Sequence, residues 1–564
     1  MNRTVGIGIQ SFEKIREGNY FYIDKTRLVK EWWESGDDVT LITRPRRFGK
    51  SLNMSMINAF FSVDYKERGD LFEGLAIWKE EKYRQLQGTY PVMNLSFANV
   101  KSSDFFSMKM EIYQIIVDLF EKNNFLIKEG IIEGSDEKFF QSVSMEMPEY
   151  VATRALHKLS DFLCQYYGKK VIILLDEYDT PMQEAYVNGF WEDMVAFTRS
   201  LFNSTFKTNP YLERGIMTGI TRVSKESIFS DLNNLEVVTT TSEKYRSFFG
   251  FTESEVFVAL DKYGYANKKE EIKSWYDGFT FGSLEDIYNP WSILNFLGKG
   301  KLGTYWANSS SNGLVSKLLR EGNRGIKENF ELLLQGKHIC TPIDEQIVYN
   351  QLNGSERAVW SLLLASGYLK VISYDRLETL EKGQRQMYEL ALTNYEVEFM
   401  FEEMVRSWFS ETESEYNDFI KMLLKGDVKA MNVYMNRVAL QSFSYFDTGK
   451  TPSYDAPERF YHGFILGLIV DLAGEYVITS NRESGFGRYD VVIEPKEPGE
   501  HDAIILEFKV YDSEDEASLK ETVQAALAQI EEKRYEANLV AKGISAEHIR
   551  KYGFAFEGKK VLIG

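Results

Sequence analysis

The chain carries a series of short apolar runs that end on polar or charged residues, each followed by an amphipathic stretch. Val39, Leu41 and Ile42 stop at Pro45 and lead, through a basic loop, into a segment of helical period from Leu52 to Phe61. Tyr90 to Phe97 predicts a second strand, and long amphipathic helices are predicted over 105–125 and 149–167. Lys169 to Asp179, KKVIILLDEYD, is apolar through its middle and closes on acids. That is the pattern of a central parallel strand buried on both faces. Arg214 to Arg222, RGIMTGITR, predicts a fourth short strand. Strands alternating with helices in this way predict an α/β parallel sheet.

Beyond Tyr245 the period turns helical. Thr252, with Glu255 three residues on, predicts a capped helix start, and WYDGFTFG (275–282) and YNPWSIL (288–294) mark turns. A small helical lid is expected here, and 300–350 carry no clear pattern. From Ser355 the order is a helix (Ala358 to Leu364), two strands (Tyr368 to Ser373 and Gln386 to Leu392) and a helix from Glu396 to Phe409. A helix followed by a two-strand ribbon is compatible with a winged-helix-like module, which would bind DNA or couple domains. The acidic helix (Glu396, Glu398, Glu402, Glu403) favours coupling. Glu458 opens an apolar helix, followed by strands over 476–480, 487–495 and 503–510. The expected division is an α/β core over 1–235, a lid over 236–330, a helix-rich connector over 331–440 and a C-terminal α/β domain over 441–564.

Composition narrows the class. A chain of 564 residues, at roughly 100 to 200 residues per domain, implies two to four domains. Hydrophobic content of 44% and charged content of 27% are globular values. No run approaches the roughly 18 apolar residues that span a bilayer, and Met1 to Gln10 lacks a signal peptide's apolar region. A cytoplasmic protein with no membrane segment is expected. Cys164 and Cys340 lie far apart, which argues against a disulfide framework or thiolate zinc site and for buried small hydrophobes. The net charge of −18 disfavours indiscriminate nucleic-acid binding but leaves room for local basic loops.

The candidate chemistry lies at two places. Gly49-Lys50-Ser51 stands between the first strand and its helix, where a phosphate-binding loop belongs. Gly49 would let the backbone approach a phosphate, Lys50 would reach the β- and γ-phosphates, and Ser51 would hold Mg²⁺. Arg44 replaces the first glycine of the usual G-x-x-x-x-G-K-[ST] pattern, and an ordinary basic surface turn is the competing reading. Asp176 stands at the C-terminal end of the apolar strand read in Lys169 to Asp179, where α/β sheets bind ligands; it would complete the Mg²⁺ shell, and Glu177 would orient or deprotonate water. The alternative is a core strand capped by solvated acids. The polar end of the fourth strand, Thr218, Thr221 and Arg222, resembles the sensor position of P-loop ATPases, where a hydroxyl or amide senses the γ-phosphate; a strand end running into a loop is the competing reading.

The second place is C-terminal. Asp490, sixteen residues, Glu507, one residue, Lys509 puts an acid on one strand and an acid-x-lysine on the next. Residues i and i+2 of a strand share a face. Two carboxylates would hold Mg²⁺ and the lysine would orient water or stabilise developing charge; the alternative is a hairpin with solvated charges.

YFYIDKT, ITRPRRFGKSL, VIILLDEYDTP and IMTGITRVS together resemble the bacterial AAA-ATPase-like family, and YHGFILGLI, GRYDVVI and ILEFKV resemble the PD-(D/E)XK nuclease superfamily. The likenesses cover roughly 1–290 and 440–564. They imply ATP and Mg²⁺ as cofactors, with Lys50 and Ser51 on phosphate and metal, Asp176 and Glu177 on metal and water, Asp490 and Glu507 on a nuclease metal, and Lys509 in catalysis. Glu458 matches the superfamily's auxiliary acid. Arg46 and Arg47 would supply positive charge beside the phosphates, or face another subunit or a nucleic acid. The expected partner is nucleic acid, DNA first, with a protein partner or second copy as the alternative; a nucleotide-switched sensor that does not cut is the rival function.

Overall fold

Five apolar strands, all parallel, form the first sheet: β1 (Val39–Thr43), β2 (Val92–Ser96), β3 (Val171–Asp176), β4 (Leu212–Gly219) and β5 (Leu235–Val238), in the order β2-β3-β4-β1-β5. The architecture is that of a computed structural model. It describes residues 2–564 apart from 223–227, 230–231, 308, 310–311, 345–348, 350–351, 353–354, 376–379, 382, 409–412, 437–455, 482–487, 498–500, 513–515 and 558–559. The described side chains exclude, in addition, 413–418, 456–463, 481, 488–490 and 535.

Every residue of β1 and β3 is buried, which is why both read as continuous apolar runs rather than alternating ones. The expected helices are present, Lys50–Phe61 after β1, and Phe105–Lys122 and Glu149–Tyr167 between β2 and β3. The sheet is thereby of the α/β class foreseen. β5 was not foreseen, being four residues at an edge of the sheet. β4 ends at Gly219, so Thr221 and Arg222 lie just past the strand. Tyr22 of the aromatic stretch before β1 packs edge-on to Phe12, 5.6 Å between ring centres, and its hydroxyl meets Met56 Sδ at 3.6 Å. It seals the helix behind the loop.

In the lid region the capping box at Thr252 and Glu255 is formed and the helices Glu253–Tyr263, Lys269–Tyr276 and Pro290–Lys299 follow. A small antiparallel sheet accompanies them: β6 (Phe251–Thr252), β7 (Phe279–Phe281) and β8 (Leu284–Tyr288). Further on, β9 (Ile339–Thr341), β10 (Leu369–Tyr374) and β11 (Tyr388–Leu392) form a sheet in the order β10-β11-β9, with the helix Glu356–Ala365 before the ribbon and Tyr395–Ser407 after it. Cys340, expected to be buried, is exposed on β9, and Cys164 is half-buried. A three-residue strand has too little sheet around it to cover its outward side chain.

The last sheet contains β12 (Tyr476–Asn481), β13 (Arg488–Pro495), β14 (Ala503–Val510), β15 (Ile549–Glu557) and β16 (Lys560–Ile563) in sequence order. Only β14 and β15 run parallel. Phe464 of the helix Ala456–Leu472 packs on Phe508 and Phe554. Ala503 and Ile505 instead cluster with Ile530 of the helix Leu519–Glu532. The sheet is therefore covered by a helix on each face. The chain forms two compact units, one of residues 1–311 with 340–397 and one of 312–339 with 398–564. Among the described residues no helix is long and apolar enough to cross a membrane.

Candidate functional site

Pro45 ends β1 and Gly49 opens the next helix with φ +81°, a left-handed conformation that glycine adopts freely. Arg47, at φ +66°, is a second left-handed residue in the loop. The Lys50 side chain is buried, and its ammonium donates to the carbonyls of Arg44 and Pro45, each at 3.0 Å. The loop thus satisfies its own lysine.

The Arg44 side chain is fully buried and turns to the far edge of the sheet. It donates to the carbonyls of Thr43 at 2.8 Å and Thr239 at 2.6 Å, and lies over the Phe281 ring at 4.5 Å. Burial pushes its guanidinium down to about 9, still charged at neutral pH. Arg44 is therefore an anchor between the loop and the segment after β5. Arg46 donates to Gln183 at 3.4 Å, and Arg47, exposed, lies 4.3 Å from the Trp291 ring centre.

Because β4 lies between β1 and β3, its end meets Asp176. Thr218 donates to Asp176 and accepts from the Glu177 amide at 3.4 Å. Burial pushes the Asp176 carboxyl up, against hydrogen bonds from Ser51 and Thr218 and the charge of Lys50, which hold it down. Ser51, Asp176, Thr218 and Lys50 are thus brought together at the carboxyl ends of adjacent strands. Glu177 follows with φ +55°, a conformation that costs a glutamate of order 1 kcal/mol and persists where surroundings enforce it. Its carboxylate accepts from Thr180 at 3.3 Å.

Among the described residues, no hydrogen bond joins Arg222 to this group. Its Nε is buried with no partner among the described residues, and it lines a small cavity with Thr43, Thr239, Asp344 and Ser361. Asp179 went unread in the sequence, although it closes the same DEYD run. It is fully buried, and its Oδ2 accepts from the Ile220 amide at 3.0 Å and from the Thr221 amide and hydroxyl, both at 2.9 Å. It fixes the chain between Thr218 and Arg222. Elsewhere, Glu253, Asp277 and Asp286 stand together, and the Lys273 ammonium pairs with all three.

A hydroxyl, a carboxylate and a lysine beside a helix start fit a Mg²⁺-bound phosphate: the first two offer hard oxygen ligands and the third a countercharge.

In the second unit, Asp490 on β13 is the register partner of Glu507 on β14, and directly opposite residues of an antiparallel pair share a face. The side chains of Asp490 and Glu458 lie outside the described residues; Glu458 stands in the first turn of Ala456–Leu472. Glu507 is fully buried, and both of its carboxylate oxygens lack a hydrogen-bond partner among the described residues. Lys509 is half-buried two positions on. On the other side, Glu507 pairs with Gly553, where a Cβ would stand 2.8 Å from the Val523 carbonyl of the helix Leu519–Glu532. Glycine there lets the helix close over the strand. That helix contributes Gln529, also buried and with neither amide atom partnered. An isolated buried carboxylate is costly, and a divalent cation is the kind of group that answers it.

Each of the two candidate sites falls in a region that matches a family model. Residues 6–229 match the family model described as Predicted AAA-ATPase, and residues 456–564 match that of the PD-(D/E)XK nuclease superfamily. The chain is also similar to an uncharacterized protein in the vnfD 5' region of Azotobacter chroococcum mcd 1, 25% identical over 402 residues, covering 70% of this chain and 68% of that protein.

Proposed function

We propose, for a chain with an AAA-ATPase-like region followed by a PD-(D/E)XK superfamily domain, that it is a cytoplasmic ATP-binding protein whose C-terminal domain cuts DNA with Mg²⁺ and whose nucleotide state gates the cutting. The observation that carries the first half is the meeting of Ser51 and Thr218 on Asp176 beside Lys50. In this reading Lys50 would exchange the carbonyls of Arg44 and Pro45 for phosphate oxygens, Ser51 and Asp176 would hold Mg²⁺, and Glu177 would take the proton of the attacking water. The metal neutralises phosphate charge when bound.

The second half is supported by Glu507, buried with no hydrogen-bond partner among the described residues and in register with Asp490. Asp490 and Glu507 would hold Mg²⁺, with Glu458 as auxiliary acid, and Lys509 would orient the attacking hydroxide. The test is cleavage of single- and double-stranded DNA and RNA by the full chain, with Mg²⁺ or EDTA and with or without ATP. Mg²⁺-dependent cutting of DNA that changes with ATP is expected. Nucleotide binding with no cutting of any substrate would replace this reading by a nucleotide-switched sensor.

A further inference from the structure

A loop that turns its amides toward an anion turns carbonyls the other way, and each carbonyl that is buried needs a donor. The carbonyls of Arg44 and Pro45 have Lys50. The carbonyl of Arg46 has two donors from outside the parallel sheet: the Trp306 indole at 2.9 Å and the Asn289 amide at 3.3 Å.

Trp306 is itself held. It is buried, with its ring 5.4 Å from Phe279 and 5.6 Å from Tyr368. Its backbone amide donates to Glu396 at 2.6 Å, and the next amide, of Ala307, donates to the same oxygen at 3.3 Å. The other Glu396 oxygen accepts from the Ser292 hydroxyl at 2.8 Å. Glu396 is 1% exposed, so these donors are what make a charge there tolerable. Asn289 and Ser292 both belong to the start of the helix Pro290–Lys299, Asn289 as its cap. Two independent chain segments thus converge on one peptide of the phosphate loop. Glu396 lies in the first turn of the helix Tyr395–Ser407.

We propose that Trp306 is a positioning residue for nucleotide binding: its indole N–H fixes the peptide after Arg46, and Glu396 fixes Trp306, so the geometry of the phosphate loop is set from the start of the helix Tyr395–Ser407. The inference rests on the nucleotide reading above. By linkage, a nucleotide that requires this loop geometry tightens the clamp by the same factor as the clamp tightens the nucleotide. Trp306→Phe keeps a ring between Phe279 and Tyr368 and removes only the donor. It leaves the Arg46 carbonyl with the longer bond from Asn289.

The test uses the full chain, with Mg·ADP and Mg·ATP affinity read by calorimetry. Trp306→Phe should bind about tenfold more weakly, the size of one lost hydrogen bond, with a melting temperature close to the wild type's. Glu396→Gln should weaken binding in the same direction. In wild type labelled with 5-fluorotryptophan, the fluorine resonance absent from Trp306→Phe should shift on adding Mg·ADP. A purely structural tryptophan would leave that resonance in place. If Trp306→Phe does not fold, 5-fluorotryptophan spectra of Glu396→Gln and of the wild type decide: no resonance that shifts with Mg·ADP in the wild type and is altered by Glu396→Gln overturns the clamp. Unchanged affinity in Trp306→Phe overturns the clamp alone, whereas a wild type that binds no nucleotide overturns the clamp and the nucleotide reading together.

Discussion

The ammonium of Lys50 donates to the carbonyl of Arg44 at 3.0 Å, so the residue that replaces the loop's usual first glycine accepts from the side chain meant for the phosphates. Arg44 can stand there because its own side chain leaves the loop for the carbonyls of Thr43 and Thr239. The substitution removes no donor from the loop and adds no side chain to its mouth.

Lys50→Ala should therefore have two effects. It leaves the Arg44 and Pro45 carbonyls without their donor and should cost about 1–3 kcal/mol of stability in the absence of nucleotide. It also removes the countercharge of the phosphates, and Mg·ATP affinity should fall by at least about a hundredfold. Calorimetry on the folded variant decides, and wild-type affinity would remove the site.

Asp176 and Glu177 separate by environment. Asp176 is buried under Thr218 and Ser51, so Asp176→Asn should weaken the Mg²⁺ dependence of nucleotide binding. Glu177 is only half-buried and hydrogen-bonded to Thr180, so Glu177→Gln should keep binding and slow turnover by about a hundredfold or more. Identical ATPase rates in wild type and Glu177→Gln would end its assignment as base.

Glu396 makes a prediction about pH. Burial pushes its carboxyl up from the usual glutamate value to about 7, against the hydrogen bonds from Ser292, Trp306 and Ala307. A raised folded value means that the folded state keeps a proton which the unfolded chain has lost. Its contribution is full below about 4.5 and disappears as pH rises to about 7, by at most roughly 3 kcal/mol. Denaturant unfolding of Glu396→Gln should lack that component of the slope between pH 4.5 and 7. Parallel wild-type and variant curves across this interval would show that Glu396 does not titrate there.

The parallel sheet was legible because strands buried on both faces announce themselves as unbroken apolar runs, as β1 and β3 do. β5 was not, because four residues leading into Thr239 and Thr240 carry no period. The acids and Lys50 could be picked out by type and spacing. The self-satisfied state of Lys50 could not, since its partners are backbone carbonyls whose direction no residue type encodes. Trp306 and Glu396 were hidden for a related reason: one reads as core and the other as a surface acid on an acidic helix, and only the fold puts both behind the loop. Gln529 could have been singled out as a polar residue on the apolar face of an amphipathic helix.

Glu507 has two buried carboxylate oxygens with no hydrogen-bond partner among the described residues. Stability and function should pull apart at such a residue. Without metal, the carboxylate costs the fold, since a buried charge with no partner loses its hydration and gains nothing. Glu507→Met fills similar volume without charge and should raise stability in EDTA by about 1–3 kcal/mol. With metal, the order should reverse. Mg²⁺ should stabilise the wild type in proportion to its occupancy and leave Glu507→Met unmoved, and DNA cleavage should vanish in the variant. Melting curves of both proteins in EDTA and in Mg²⁺ read the two effects separately. A carboxylate that serves only the fold would instead make Glu507→Met less stable under both conditions, and a wild type whose melting temperature ignores Mg²⁺ and Mn²⁺ would remove the metal from this site.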